Sequence, residues 1–227
     1  MEFLSTSTYF AVLLTLGSYF VGCAIQKKCK FCNPFLFAIV VIIVTLILLN
    51  MDYETYYSAT EVINFMLTPA TVCLAVPLYQ QLQALKSNWK AILAGILSGV
   101  LANMVAMLGF SVLFGFSHTE YVTLLPKSVT TAIALGISEE LNGIVTLTVG
   151  LLIITGMIGN IFAPQICKLF HLKEPVAKGV AIGTACHAMG TARAMSMGDV
   201  EGAMSSLSIA VAGLMTVIVA PIFANFY

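Results

Sequence analysis

Residues 91–119 read AILAGILSGVLANMVAMLGFSVLFGFSHT and contain no lysine, arginine, aspartate or glutamate. A helix needs about 20 mainly apolar residues to cross the hydrocarbon core of a bilayer. Five other runs in the 227-residue chain are also free of charge and long enough to cross. The six runs are 3–26, 31–51, 62–85, 91–119, 141–167 and 202–227. The sequence therefore predicts an all-α integral membrane protein with about six transmembrane helices.

The composition supports a membrane location. Hydrophobic residues make up 59% of the chain and charged residues 9%, whereas soluble proteins contain about a quarter charged residues. Ten basic and ten acidic residues give no net charge, so there is no basic surplus for binding nucleic acid. We expect partners in the bilayer or among small molecules.

The loop charges predict an orientation. Lysine clusters follow the first, third and fifth runs, whereas acidic residues follow the second and fourth. Because cytoplasmic loops carry the excess of lysine and arginine, both termini are expected outside. The first run lacks a basic region before it and a clear cleavage pattern after it, and no organelle leader is visible. We therefore expect a retained helix and a multi-pass protein of the bacterial plasma (inner) membrane.

Two segments, 121–140 and 175–197, are too polar to face lipid and too apolar for ordinary loops. Each is predicted to be a re-entrant or broken-helix segment, the first dipping from outside and the second from inside. Irregular backbone at membrane depth requires protein or a water-filled cavity around it, so the segments should meet near the midplane. We expect a single membrane domain over 1–227, with two N-terminal helices in 1–60 and a core in 61–227.

A pattern of Gly-x6-Ala begins at Gly99, Gly156 and Gly213, with 57 residues between copies. Successive copies would cross in opposite directions, which is typical of the inverted repeats of secondary transporters. Asn103 and Asn160 occupy equivalent places in two copies, and we interpret them as interhelical hydrogen-bonding residues.

The first polar segment carries a candidate anion site. Pro126 suits the first turn of a half-helix, which would place Lys127, Ser128, Thr130 and Thr131 around a helix N-terminus. Such an end binds anions through free backbone N–H groups and the helix dipole. The alternative is a lysine that extends to the interface, with the hydroxyls bonded to their own helix.

The second polar segment contains Gly183 and Gly190, which permit close helix approach or local unwinding. Arg193 inside a membrane costs about 2.5–3.5 kcal/mol unless it is paired or hydrated. Its guanidinium matches a carboxylate in a bidentate manner, and the alternative is a structural salt bridge. The carboxylates available for that bridge are Glu139, Glu140 and Glu201.

Other residues of these segments complete the candidate site. Thr184 and Thr191 offer hydroxyls for substrate oxygens. His187 titrates near neutral pH and could carry a coupled proton, or it could be a structural histidine. Pro69 and Pro77 each remove a backbone donor and should break or kink the third crossing.

Catalytic and metal motifs are missing from the sequence. No serine–histidine–acid order, phosphate-binding glycine loop or metal-ligand cluster occurs, so we expect no enzyme, cofactor or metal. Cys29 and Cys32 have C-x-x-C spacing without the further ligands that a zinc site needs.

Four stretches resemble the LrgB/CidB family. They are PATVCLAVPLY at 69–79, PKSVTTAIALGISE at 126–139, PVAKGVAIGTACHAMGTARA at 175–194 and VEGAMSSL at 200–207. The resemblance covers nearly the whole chain and is most specific around His187 and Arg193. The sequence departs from the family pattern at Ala132, where proline is common, and at Cys186, where serine is common.

The resemblance implies two kinds of function. Some family members are described as holin/antiholin-like proteins linked to murein hydrolase activity and cell lysis, usually with a smaller LrgA/CidA-type membrane protein. Others look like carriers of pyruvate, glycolate or glycerate. We expect a proton-coupled carrier of a small monocarboxylate, with a homo-oligomer and an LrgA/CidA-type partner. The alternatives are a holin/antiholin-like pore and a scaffold that regulates a murein hydrolase.

The expected roles follow from the chemistry of each side chain. Lys127 and Arg193 would compensate the substrate charge, and the hydroxyls would bond its oxygens. His187 or Glu139 would take the proton, and Glu201 would pair with Arg193 in the empty state.

Overall fold

A computed structural model describes residues 8–28, 34–66, 69, 72–73 and 75–227. Every regular element in these described ranges is a helix. The chain forms two compact units, Met1–Cys73 and Leu74–Tyr227. The boundary between the units follows Cys73, and the single membrane domain over 1–227, with two helices in 1–60 and a core in 61–227, stays a prediction.

The first unit contains four described helices: α1 (Thr8–Lys28), α2 (Pro34–Leu48), α3 (Tyr53–Ala59) and α4 (Glu61–Phe65). Helix α1 packs on α2. A hydrogen bond of 2.6 Å joins the Thr15 and Tyr56 hydroxyls and ties α1 to α3. Asp52 caps α3 by accepting from the Thr55 backbone N–H, which satisfies a donor that has no partner inside the helix.

The second unit contains seven helices among its described residues, 75–227. They are α5 (Ala75–Gln80), α6 (Leu82–Phe114), α7 (His118–Leu124), α8 (Thr131–Glu140), α9 (Val145–Leu169), α10 (Pro175–Met195) and α11 (Asp199–Ala224). Helix α11 packs against α5, α6, α8 and α10. Its core contact with α6 includes Ile96, Met104 and Met204, all fully buried.

Four described helices are long and apolar enough to cross a membrane: Thr8–Lys27, Leu82–Phe114, Val145–Leu169 and Asp199–Ala224. They correspond to the first, fourth, fifth and sixth uncharged runs. The second run forms the 15-residue helix α2, and the third run contains α5 and several residues outside the described ranges. The predicted fold class, an all-α membrane protein, is confirmed, and the number of crossings stays a prediction.

The second polar segment folds back on itself. His187 has φ 42° and ψ −140°, which interrupts α10. Before this break, Gly179 lies against Glu201 and Gly183 against Ser205. After it, the Thr191 hydroxyl bonds the Ser205 hydroxyl at 2.7 Å, and Met195 lies against Gly202.

These contacts fix the direction of each arm of α10. The first arm, 175–186, runs parallel to α11, because contact positions rise together in both helices. The second arm, 188–195, runs antiparallel to α11, because positions rise in one helix as they fall in the other. The segment is therefore a helical hairpin with its tip at His187, and its placement in a bilayer stays a prediction.

The first polar segment breaks differently. Helix α7 ends at Leu124, turns occupy 125–128, and α8 begins at Thr131 after the N-cap residue Thr130. The expectation that Pro126 opens the half-helix is therefore wrong. The turn instead runs through Pro126, because the Val129 N–H donates to the Pro126 carbonyl, and the helix starts five residues later.

The three repeat glycines lie on the long helices α6, α9 and α11. A Cβ at Gly99 would lie 2.8 Å from Thr184, one at Gly156 would lie 2.7 Å from the His187 ring, and one at Gly213 would lie 2.6 Å from Ile133. Each glycine therefore allows its helix to approach one of the two broken segments.

Candidate functional site

A cavity of about 610 Å³ lies where the two broken segments meet the long helices. Its walls come from α6, the turn before α8, α9 and the first arm of α10. The lining residues are Gly95, Ser98, Gly99, Asn103, Lys127, Ser128, Thr155, Ile158, Gly159, Ile166, Ala181, Thr184, Ala185 and Cys186.

The turn supplies the cavity with a cation and a hydroxyl. The Lys127 ammonium donates to the Ser128 hydroxyl at 3.2 Å, and that hydroxyl donates to the Asn103 carbonyl oxygen at 3.5 Å. The Asn103 amide donates in turn to the Leu125 backbone carbonyl at 3.3 Å. Asn103 on helix α6 thus bonds both the backbone and one side chain of the turn. These two bonds hold the turn in place and so position Lys127.

The first arm of α10 supplies the opposite wall. Thr184 is 6% exposed, and its hydroxyl has no hydrogen-bond partner among the described residues. Gly99 on α6 makes room for the Thr184 methyl group. Cys186 fills the space in front of Gly159, where a Cβ would overlap the Cys186 sulfur. A buried hydroxyl without a partner is costly, and a ligand oxygen in the cavity would satisfy it.

Three of the eight predicted binding residues line the cavity: Lys127, Ser128 and Thr184. The other five lie elsewhere: Thr130, Thr131, His187, Thr191 and Arg193. Thr130 precedes α8 as its N-cap residue but makes no side-chain capping bond. Thr131 begins α8 and is exposed.

His187 and Thr191 are engaged inside the hairpin. A ring nitrogen of His187 lies 3.1 Å from the Leu152 carbonyl on α9. The Thr191 hydroxyl donates to the His187 carbonyl at 3.0 Å and also contacts Ser205. Both side chains are buried, so in this arrangement they fix the hairpin tip and its second arm.

Arg193 forms no ion pair within the described ranges, and its Nε is buried without a hydrogen-bond partner. The expected pair between Arg193 and Glu201 is wrong. Glu201 instead lies 3.8 Å from the Lys178 ammonium, because the first arm of α10 runs alongside α11 and brings Lys178 to it. Glu139 and Glu140 are exposed at the end of α8.

The predicted helix-break residues have separate roles. The break in α10 falls at His187, while Gly183 allows contact with Ser205 and Gly190 contact with Cys186 and Ile182 across the hairpin. Pro77 lies in the first turn of α5. The residues before and after Pro69 in the sequence lie outside the described ranges, so its predicted effect on the third crossing stays a prediction.

Asn103 lines the cavity, whereas the sequence indicated only an interhelical hydrogen bond for it. Its counterpart Asn160 on α9 donates to the Met189 carbonyl at 2.9 Å. Each asparagine therefore bonds a backbone carbonyl next to a break. The shared position in the repeat was the signal that could have identified this role.

Within the described ranges, no three His, Cys, Asp or Glu side chains come together in a group that could hold a metal ion. Cys29 and Cys32 lie outside those ranges. The cavity instead combines one cation with hydroxyl, amide and small side chains, which suits a small anion with several oxygen atoms.

The fold and composition define a membrane-embedded all-α protein with two interrupted helical segments that face one cavity. The chain belongs to the LrgB-like family, whose model matches residues 15–226. It is 38% identical over 226 residues to "Antiholin-like protein LrgB" of Bacillus mycoides, with 98% of each chain covered. Proteins of the same name from Bacillus cereus and Bacillus anthracis are 37% identical at the same coverage. No solved structure matches this chain.

Proposed function

We propose that this protein is a membrane carrier that binds a small monocarboxylate, such as pyruvate or glycolate, beside Lys127. The observation that carries the proposal is a lysine in the cavity with no carboxylate partner among the described residues. The cavity of about 610 Å³ also falls in the usual size range of small-molecule sites, about 300–1,000 Å³.

An unpaired lysine at membrane depth is costly, and bound anions offset that cost. The Lys127 ammonium would pair with the substrate carboxylate. The Thr184 hydroxyl would donate to a substrate oxygen, and the Ser128 hydroxyl would do the same after turning away from the Asn103 side chain. Movement of the two segments against the long helices would then expose the cavity to one side at a time.

The first test is uptake of labelled pyruvate into liposomes that contain the purified protein. A carrier shows saturation and counterflow, and proton coupling makes uptake depend on an imposed pH gradient. Lys127→Gln should abolish uptake, and Lys127→Arg should retain part of it. Lys173→Gln is the matched control, because Lys173 is an exposed lysine outside the cavity. Uptake that is absent from the wild type, or unchanged in Lys127→Gln, would overturn the carrier proposal.

The second candidate is an antiholin-like regulator of cell lysis and murein hydrolase activity. The relatives' name, antiholin-like protein, favours an antiholin-like function over transport. In that case the polar side chains would serve as packing contacts. Deletion of the gene should then change the autolysis rate, and Lys127→Gln should restore the normal rate as well as the wild type does. Ion leakage through liposomes without saturation would favour a pore.

The cellular setting is also part of the proposal. We place the protein in the bacterial plasma (inner) membrane as a multi-pass homo-oligomer with both termini outside and an LrgA/CidA-type partner. The lysine distribution supports the orientation. Terminal tags probed in intact cells test the orientation, and copurification from solubilised membranes tests the partner.

A further inference from the structure

A second opening lies beside the cavity. It has a volume of about 420 Å³ and lies between α6 and the first arm of α10, where Asn88 and Glu174 stand at its outer end. Gly95 and Ala181 line both this opening and the cavity. The two spaces therefore adjoin at these two small residues.

The opposite end of the second unit is closed. Leu125 and Pro126 are fully buried behind Lys127. Tyr121 is also fully buried, and its hydroxyl donates to the Phe223 carbonyl at 2.9 Å. The ring of Tyr227 packs on Tyr121 with centroids 5.3 Å apart. Side chains from α7 and the end of α11 therefore pack closely at this end of the unit.

We infer that a small anion reaches the Lys127 cavity along the groove between α6 and the first arm of α10, from the Asn88 and Glu174 end. The inference rests on the proposed function for the identity of the anion, but the path itself stands on the geometry. Gly95 is the narrow point, because a Cβ there would already lie 3.3 Å from Val180. A larger side chain at Gly95 closes the path.

The Glu174 carboxylate at the mouth does not oppose this route. Glu174 is exposed at the N-cap of α10, where water and salt screen its charge over about 8–10 Å. Lys127 lies beyond the narrow point and acts on the anion inside the cavity, where screening is weaker.

Cys186 lines the cavity and provides a natural reporter of access. The experiment uses the full-length protein in membrane vesicles, with every cysteine except Cys186 replaced by serine or alanine. The probe is an impermeant, negatively charged methanethiosulfonate, added to one membrane face at a time. The Cys186 thiolate attacks the reagent, forms a mixed disulfide and releases methanesulfinate.

Two further single-cysteine variants identify the faces. Lys173 is exposed in the loop before α10, and Thr119 is exposed at the start of α7. The variants Lys173→Cys and Thr119→Cys therefore each place one exposed thiol at a known end of the second unit. Cys186 should react from the face that labels Lys173→Cys and not from the face that labels Thr119→Cys. Reaction from the Thr119 face, or equally from both faces, would overturn the inference.

The narrow point is tested by Gly95→Leu, which should abolish labelling of Cys186. Gly109→Leu is the control on the same helix, because a Cβ at Gly109 meets nothing within 4 Å, and it should label like the parent. If Gly95→Leu does not accumulate, Gly95→Ala should show slower labelling than Gly109→Ala. Unchanged labelling in the Gly95 variant that folds contradicts the path. Labelling as expected without any pyruvate uptake would refute the carrier proposal alone.

Discussion

The two broken segments use their breaks in different ways. The first is interrupted over 125–130, and the polar side chains of its turn, Lys127 and Ser128, face the cavity. The second turns at the single residue His187, whose ring points away to the Leu152 carbonyl. The longer interruption therefore places its own polar side chains in the cavity. At the one-residue interruption the His187 side chain holds the backbone instead, and the preceding residues Thr184 and Cys186 line the cavity.

The largest expected effect concerns the packing of the second segment. A Cβ at Gly183 would overlap the Ser205 backbone, so Gly183→Ala should destabilise the protein by about 2–3 kcal/mol. The control Gly109→Ala should stabilise it by about 0.5–1 kcal/mol, because its Cβ has open space. Thermal unfolding in detergent measures both. Equal midpoints for the two variants would contradict the close contact between α10 and α11.

The next effect separates strain from side-chain bonding at His187. Non-glycine residues at sparsely populated φ and ψ angles cost about 1–3 kcal/mol, and φ of His187 is 42°. His187→Ala keeps that strain and loses the bond to Leu152, whereas His187→Gly loses the bond and relieves the strain. The glycine variant should therefore unfold at the higher temperature. The reverse order would show that the tip is unstrained.

The two asparagines give a matched pair with a smaller effect. Asn103→Leu and Asn160→Leu each remove a bond to a backbone carbonyl, which costs about 0.6 kcal/mol on average between membrane helices. We expect similar losses of stability from both. Only Asn103→Leu should weaken pyruvate binding, measured by protection against thermal unfolding, because Asn103 orders the turn that holds Lys127. Equal weakening by both variants would indicate a general loss of structure.

The smallest effect distinguishes the starts of the two segments. Helix α7 begins with a capping box in which Ser117 and Glu120 bond each other's backbone groups, while α10 begins with Pro175 and no side-chain cap. Ser117→Ala should therefore cost about 1 kcal/mol, and Glu174→Ala should cost less. Matching midpoints in thermal unfolding would show that the cap adds nothing here.

The stability that this capping box contributes should depend on pH. The backbone N–H and hydroxyl of Ser117 donate to the Glu120 carboxylate and hold its pKa below the ordinary value. A lowered folded-state pKa gives stability that is present above the ordinary carboxyl pKa and is lost as the pH falls through the lowered one. Glu120→Gln should remove this acid-side dependence. An unchanged pH profile of unfolding in that variant would contradict the assignment.

Composition and uncharged run length predicted the all-α membrane fold, because lipid leaves a long apolar run few alternatives to a helix. The repeat marked Gly99, Gly156 and Gly213 only as an inverted-repeat pattern, and their close approaches are visible in the structure alone. The polar segments were located correctly as interruptions. The start of α8 was missed because Pro126 fits a turn as well as a helix.

The site was less predictable, because sequence does not show which way a side chain points after a break. Lys127, Ser128 and Thr184 do meet in one cavity. Arg193 and Glu201 looked like partners by charge alone, yet the parallel first arm of α10 brings Lys178 to Glu201 instead. The pairing of Lys178 with Glu201 follows from the chain reversal at His187. No local residue pattern predicts a chain reversal at a histidine.

The hairpin of α10 has a consequence for biogenesis. Its arms contain twelve and eight residues, or about 18 and 12 Å of helix, so neither can span a bilayer core of about 30 Å. Both arms make contact with α11, which the ribosome makes afterwards. We therefore expect the hairpin to fold last, after α11 has partitioned into the membrane. Nascent chains that end at Met195 should leave Cys186 open to thiol reagents from the cytoplasm, and chains that include α11 should slow that reaction.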